Sequence, residues 1–322
     1  MKKATLILTS ILITFTLFGQ ETYRLDNCNC VDNIEQTNPV LNGKYERQCN
    51  GKLIEKGEFL KGDKVGEWIS YNKSGKLIAR INYKNGLLNG KTELFYADGK
   101  PKLVAEFKNG KKTGNWEYFS DKGKSIITGL FESGKPSGIW TINDYKGKKA
   151  VVQYDFSTNK YITNNPYSYR KKGSDVAQNA NTEEWFVLFY PNRKNYEKSG
   201  PLGGYIFASD LFVDLIEVPL EFWDTYTQYE YKATFIISND NMTTFILSDF
   251  EGYIPDDKPS FPFLIMTNPE SKIKKIEHSK LSKELLRHKI IEALNFMPPW
   301  IYNETTEIEV YVPYVTNMVY KK

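Results

Sequence analysis

Few residues of this chain are of a type that could do chemistry. It has two histidines, His278 and His288, and three cysteines, Cys28, Cys30 and Cys49. General acid–base or nucleophilic catalysis would need one of these, or an activated Ser or Lys, within reach of a partner. Both histidines fall around a segment with a helical apolar stripe, where solvated positions are expected. No G-x-S-x-G, H-E-x-x-H or Cys/His constellation occurs. The acid pair Asp256-Asp257 sits in a proline-containing loop and reads as solvated. Gly86-Leu-Leu-Asn-Gly90-Lys91-Thr92 imitates a phosphate loop but is one residue short, and no helix follows to supply a dipole. The expectation is therefore a protein that is not an enzyme, with no catalytic residues, no cofactor and no metal.

The cysteines crowd into one short segment, residues 21–50. An oxidising compartment would join Cys49 to Cys30 or to Cys28 and leave an odd thiol. Such a compartment is suggested by the first twenty residues. Lys2 and Lys3 precede an apolar run from Ala4 to Phe18, and Gly19-Gln20-Glu21 ends it. A run of fifteen residues suits a signal peptide better than a membrane span. The region lacks a clean A-x-A site, so retention as an inner-membrane anchor stays open. The expected location is the periplasm or cell envelope.

Positioning falls to a repeat. Gly62, Gly86, Gly110 and Gly134 are 24 residues apart, and Gly66, Gly90, Gly114 and Gly138 keep the same step. Gly51, Gly75, Gly99, Gly123 and Gly147 form a third series. Phe59, Tyr83, Phe107 and Phe131 make an aromatic column. Trp68, Trp116 and Trp140 make another, with Thr92 in the gap, and Tyr71, Phe95 and Phe119 a third. Each period reads as a hairpin: a strand over 66–71, a turn at Asn72-Lys73-Ser74-Gly75-Lys76, a returning strand over 77–84 and a turn at Asn85-Gly86. One hairpin is marginal alone, so stacked neighbours must complete the core, and the aromatic columns read as that core.

The unit Phe59-Leu-Lys-Gly62-Asp-Lys-Val-Gly66-Glu-Trp68-Ile-Ser-Tyr71-Asn-Lys-Ser-Gly75 resembles the MORN repeat, in its bacterial antitoxin-like variant. The resemblance covers about residues 51–150. It implies an elongated β-sheet array used for binding or as a spacer, without catalytic residues. The second copy departs from the pattern at Thr92. Residues 51–150 carry a net charge of +9 against +4 for the whole chain. Lysines placed mostly at turns keep exposed strands soluble, and they also offer a surface to an anionic membrane. An export signal argues against nucleic acid as a partner.

The 24-residue period is lost from about residue 156, and 156–181 reads as a linker. Order resumes at 184–190. A helix is predicted from Leu202-Gly203-Gly204 through Phe207, Leu211, Leu215 and Ile216. Strands are predicted at 231–238 and 242–250, joined by Asn239-Asp240-Asn241. A second helix, capped by Ser282, runs to about Asn295 on the stripe Leu285, Leu286, Ile290, Ile291 and Leu294. Glu307, Ile308, Glu309, Val310, Tyr311 and Val312 belong to a closing strand. This order resembles the TonB C-terminal domain, with Gly203-Gly204, the strand Lys232-Ala-Thr-Phe-Ile-Ile-Ser238, Met297-Pro298-Pro299-Trp300 and Pro313 as landmarks. The resemblance implies a small α+β domain over about 182–322 that takes a partner peptide by strand addition, with 307–312 as the partner strand.

The expected fold is thus a mainly β N-terminal half of repeated hairpins and a smaller α+β C-terminal domain. The expected function is an exported binding or scaffold protein, the array a rigid arm and the C-terminal domain the peptide binder. Two alternatives stay open. One is a membrane-anchored, TonB-like energy transducer. In the other, the array itself binds a toxin, an envelope polymer or an anionic lipid.

Overall fold

A computed structural model describes residues 21–24, 30–36, 40–164, 200–217, 225–226, 228–251, 263–265, 274–275, 280–302 and 307–316. The predicted export segment (1–20), Cys28, the segment 184–190, His278 and the acid pair Asp256-Asp257 lie outside them. The chain divides into two compact units, residues 1–111 and 112–322.

The first unit is a run of antiparallel strands in sequence order: β1 (Glu21–Arg24), β2 (Cys30–Gln36), β3 (Asn42–Cys49), β4 (Lys52–Leu60), β5 (Asp63–Tyr71), β6 (Leu77–Lys84), β7 (Leu87–Phe95) and β8 (Pro101–Lys108). The strands meet through two-residue turns such as Lys61-Gly62 and Asn85-Gly86, in which both residues hold positive φ. That geometry matches the twist of the flanking strands, and Asn-Gly adopts it at least cost. The wider turns between β5 and β6, and between β7 and β8, close on backbone bonds from Gly75 N–H to Asn72 and from Gly99 N–H to Tyr96. Alternation puts one face of the sheet inside. Trp68, Ile81, Thr92, Leu94, Leu103, Ala105 and Phe107 are all buried there. Tyr45, Phe59, Trp68 and Tyr83 interlock, the Phe59 and Trp68 rings 4.9 Å apart edge to face.

The second unit opens with the same pattern in β9 (Lys111–Phe119), whose last eight residues it holds, and continues through β10 (Ser125–Glu132), β11 (Lys135–Asn143), β12 (Ala150–Asp155) and β13 (Lys160–Asn164). The sheet therefore continues into the segment read as linker, because Tyr161 and Thr163 pair with Tyr154 and Gln153. The C-terminal elements follow: β14 (Gly200–Pro201), α1 (Gly204–Leu215), β15 (Thr225–Tyr226), β16 (Gln228–Ile237), β17 (Thr243–Asp249), β18 (Phe263–Ile265), β19 (Lys274–Lys275), α2 (Lys280–Asn295), β20 (Trp300–Ile301) and β21 (Glu307–Thr316). Helix α2 starts at Lys280, so Ser282 lies inside it and does not cap it.

The C-terminal sheet has the order β17-β16-β21-β18. Its inward residues Tyr231, Ala233, Phe235, Ile237, Leu247, Ile308, Val310 and Val312 are buried, as are Phe207, Leu211 and Phe212 of α1 and Leu286, Ile290 and Leu294 of α2. The fold class read from the sequence is the one found: repeated β-hairpins followed by a smaller α+β part.

Candidate functional site

Two places bring functional side chains or unpaired backbone together, and one seam supports the second of them. The first place is on the buried face of the first unit. One cross-strand row reads Asp32, Arg47, Glu55, Ser70, and then Ala79, Leu94, Leu103. The row is charged over β2–β4, polar at Ser70 on β5 and apolar over β6–β8. The Tyr45 hydroxyl donates to Asp32 Oδ1 at 3.0 Å, and Arg47 Nε stands 3.7 Å from the same oxygen. Ser70 Oγ donates to Glu55 Oε1, 3.4 Å away, and Lys64 Nζ lies 4.0 Å from that oxygen and 3.9 Å from the centre of the Trp68 ring. Burial raises the Asp32 carboxyl above its ordinary range, against the opposing pull of Arg47 and Tyr45, and the Glu55 charge adds to the rise. The Tyr45 hydroxyl is pushed up by burial first and by Asp32 second. With both signs alternating, the row is internally matched and offers no single-sign patch.

The repeat residues singled out by spacing fall into three structural roles. Gly62, Gly86, Gly110 and Gly134 occupy two-residue turns, and Gly75 a wider one; Gly66, Gly90, Gly114 and Gly138 sit within strands at positive φ. Trp68, Trp116 and Trp140 are buried, and Tyr71 is half-buried. Trp116 Nε1 donates to Thr113 O and Trp140 Nε1 to Leu130 O, so both indoles are satisfied within the sheet. Cys49 forms a disulfide, and its Cα partner across β2 and β3 is Cys30.

The seam holds the C-terminal elements to the last repeats inside the second unit. Tyr118 Oη donates to Phe296 O at 2.8 Å, and Lys112 Nζ to Met297 O at 2.7 Å. Lys112 is half-buried, with its amine at the enclosed end, 5.1 Å from the centres of both the Trp116 and Phe131 rings. Burial lowers its pKa to about 7 and holds the Tyr118 hydroxyl well above 10. Buried Asn241 donates to Asn159 Oδ1 and accepts from Tyr302 N, and Lys135 pairs with Asp240 at 2.5 Å. That pairing draws Asp240 down to about 2. Trp300 stacks on Phe235 with ring centres 3.9 Å apart.

The second place is an edge. Strand β21 pairs with β16 from Glu307 to Val315, but with β18 only at Tyr314–Thr316. Backbone bonds alternate in an antiparallel ladder. Ser238 N bonds Met242 O and Phe250 N bonds Glu230 O, so the even residues of β16 serve β17 and the odd ones serve β21. Ile308, Val310 and Val312 thus bond to β16. Glu307, Glu309 and Tyr311 turn their N–H and C=O outward, with no strand beside them among the described residues. Pro313 follows at an outward position, where a missing N–H costs nothing. Glu309 accepts a 2.8 Å bond from Lys232 on the exposed face of the sheet. The strand named from the sequence as a partner strand, 307–312, is thus the part of β21 that has no second neighbour among the described residues.

The comparisons with known proteins bear on the repeats. Residues 64–85 and 88–109 match the model of the MORN repeat variant. These matched segments begin just inside β5 and β7 and carry Gly66, Trp68, Gly90 and Thr92. No curated protein matches the chain. Among solved structures it is similar to a mutant of TarM from S. aureus in complex with Fondaparinux, alpha-GlcNAc-glycerol and UDP, at 19% identity and TM-score 0.22 over 31% of this chain and 20% of that one. It is also similar to accessory secretory protein 1, 2 and 3 of Streptococcus pneumoniae, at 16% identity and TM-score 0.16 over 45% of this chain and 26% of that one. The chain thus spans about a quarter or less of either, and neither likeness bears on its fold or function.

His288 is exposed on α2. No group of three His, Cys, Asp or Glu side chains among the described residues is placed to hold a metal ion. Sequence reasoning missed the charged row, because its members lie 15, 8 and 15 residues apart and carry no period. It also missed the seam, whose acceptors are backbone carbonyls and leave no mark in side-chain pattern.

Proposed function

We propose that this chain is a non-enzymatic binding and scaffold protein of the cell envelope that takes an extended peptide along the outer edge of β21. The MORN repeats supply the scaffold, and the C-terminal elements are fixed to the last of them by Tyr118, Lys112 and Asn241. The carrying observation is the row of outward backbone groups at Glu307, Glu309 and Tyr311. Main-chain bonds along such an edge give affinity, and alternate side chains give selectivity. The likeness of residues 200–322 to the TonB C-terminal domain supports the same mode of binding. Export rests on the apolar segment Ala4–Phe18, and a retained N-terminus would recast the chain as an anchored transducer. The array as the binding element is a second reading, favoured by the charged row at Asp32, Arg47 and Glu55.

A display library of random peptides selected against the immobilised full chain tests the main reading. Glu309→Pro removes an outward N–H and leaves the ladder to β16 intact, as Pro313 already does two pairs along. Selected peptides are expected to lose at least tenfold in affinity on Glu309→Pro and to keep it on Glu309→Ala. Equal binding by the proline variant, or selection of no peptide at all, would overturn the reading.

A further inference from the structure

The same sheet has a second edge, β17, and it is treated differently. Thr243, Phe245, Leu247 and Asp249 turn their backbone groups away from β16, because Thr244, Ile246 and Ser248 are the residues bonded to it. Among the described residues no strand lies beyond β17. On the outward face Ile246 is 62% exposed, more than any other large hydrophobic side chain among the described residues, and Ile236 of the neighbouring strand is 38% exposed. An unpaired edge beside exposed isoleucines is a template for pairing with another chain.

The register of β17 favours one occupant, a second copy of itself. A two-fold axis through Ile246 sets Phe245 opposite Leu247 of the other copy, and Thr243 opposite Asp249. All four are outward-bonding residues, so the antiparallel ladder closes without a slip. Ile246 meets its own copy in a non-bonded pair, where Cα atoms lie about 4.5 Å apart and side chains touch. An isologous contact of this kind is self-complementary by construction.

One side chain stands in the way. Arg287, on α2, donates from its guanidinium to Leu247 O at 2.6 Å. That oxygen is the acceptor that Phe245 of a second copy would use. In a symmetric pair both Leu247 acceptors are taken, and two guanidinium groups are brought close to one axis. The geometry assigns to Arg287 the role of an edge guard: it blocks self-association through β17 and leaves β21 as the edge open to a partner. A charged side chain placed on a sheet edge is a known way of preventing such pairing. This assignment does not need β21 to bind anything, and its test reads mass rather than peptide affinity.

Sedimentation velocity on the full chain over a hundredfold concentration range provides that test. Wild type and Arg287→Lys are expected to stay monomeric. Arg287→Met keeps the aliphatic stem and loses the donor, and it should dimerise with concentration. The double variant Arg287→Met with Ile246→Lys should return to monomer. Arg287→Gln provides a second truncation with different packing, and thermal melts establish which variants are folded. A folded Arg287→Met or Arg287→Gln that stays monomeric throughout would overturn the assignment. So would dimers that persist when Ile246 is replaced by Lys, or a wild type that already pairs through β17.

Discussion

Lys112 is a lysine whose position in the sequence does not foretell its environment. It stands in the repeat where Lys64 and Leu88 stand in earlier copies, among turn-flanking residues that normally face water. Here the amine is enclosed by the Trp116 and Phe131 rings and donates to the Met297 carbonyl. An unfolded chain holds this proton up to about 10.5, whereas the folded chain gives it up near pH 7. Between those values the unfolded state binds more protons, so stability rises as pH rises from 7. Tyr118 sets the upper limit, since its hydroxyl stays protonated in the folded chain well above 10 while an unfolded tyrosine ionises there. Urea unfolding of the full chain at pH 7, 8.5 and 9.5 is expected to show a rise of about 1–3 kcal/mol, because one proton difference between the two states is worth about 1.4 kcal/mol for each pH step of one. Lys112→Met should flatten that rise, because it removes the titrating group and leaves the apolar contacts. A wild-type profile as flat as the variant's would show that the amine stays hydrated.

At the scale of the element, the repeat copies are not interchangeable, because ring size is matched to the facing strand. A Cβ added at Gly57 would come within 2.3 Å of the Trp68 ring, and one at Gly129 within 2.0 Å of the Trp140 ring. The position equivalent to these glycines in the second repeat is Ile81, which stands opposite Thr92. Gly57 and Gly129 thus leave room for an indole ring, and where the tryptophan is replaced by threonine an isoleucine, flanked on its other side by Trp68, fills the space. Thr92 is fully buried with its hydroxyl unpaired among the described residues. Thr92→Trp is therefore expected to overpack and cost about 1–3 kcal/mol. Combined with Ile81→Gly it should cost less than the two single changes summed, by about 1 kcal/mol or more in a double-mutant cycle of urea midpoints. Strict additivity would mean that the two positions do not share the space. The departure at Thr92 was visible in the sequence, but its compensation at Ile81 was not, since cross-strand register is invisible until the bulge between Ile81 and Tyr83 is known.

The whole molecule was legible in unequal parts. The hairpin repeat could be read from glycine and aromatic spacing, because a two-residue turn with positive φ and a stacked aromatic column each restrict residue type strongly. The C-terminal helices and strands could be read from period and turn chemistry. The predicted cap at Ser282 falls inside the helix, because α2 begins at Lys280. How the parts combine was not legible. The strand β13 beyond the last repeat, the carbonyls of Phe296 and Met297 that anchor the seam, and Arg287 on the edge of β17 all depend on register and on backbone groups. Composition and periodicity carry no trace of those. The candidate strand 307–312 was named from the resemblance to the TonB C-terminal domain, and that β18 pairs with only the last three residues of β21 came from the sheet.

The central claim is that the outer edge of β21 takes the partner, and amide hydrogen exchange on the full chain tests it most directly. With a display-selected peptide bound, slowed exchange is expected at the outward amides of Glu307, Glu309 and Tyr311, with the repeat strands unchanged. Protection that appears instead on β2–β5, around Asp32, Arg47 and Glu55, would contradict the account and make the array the binding element.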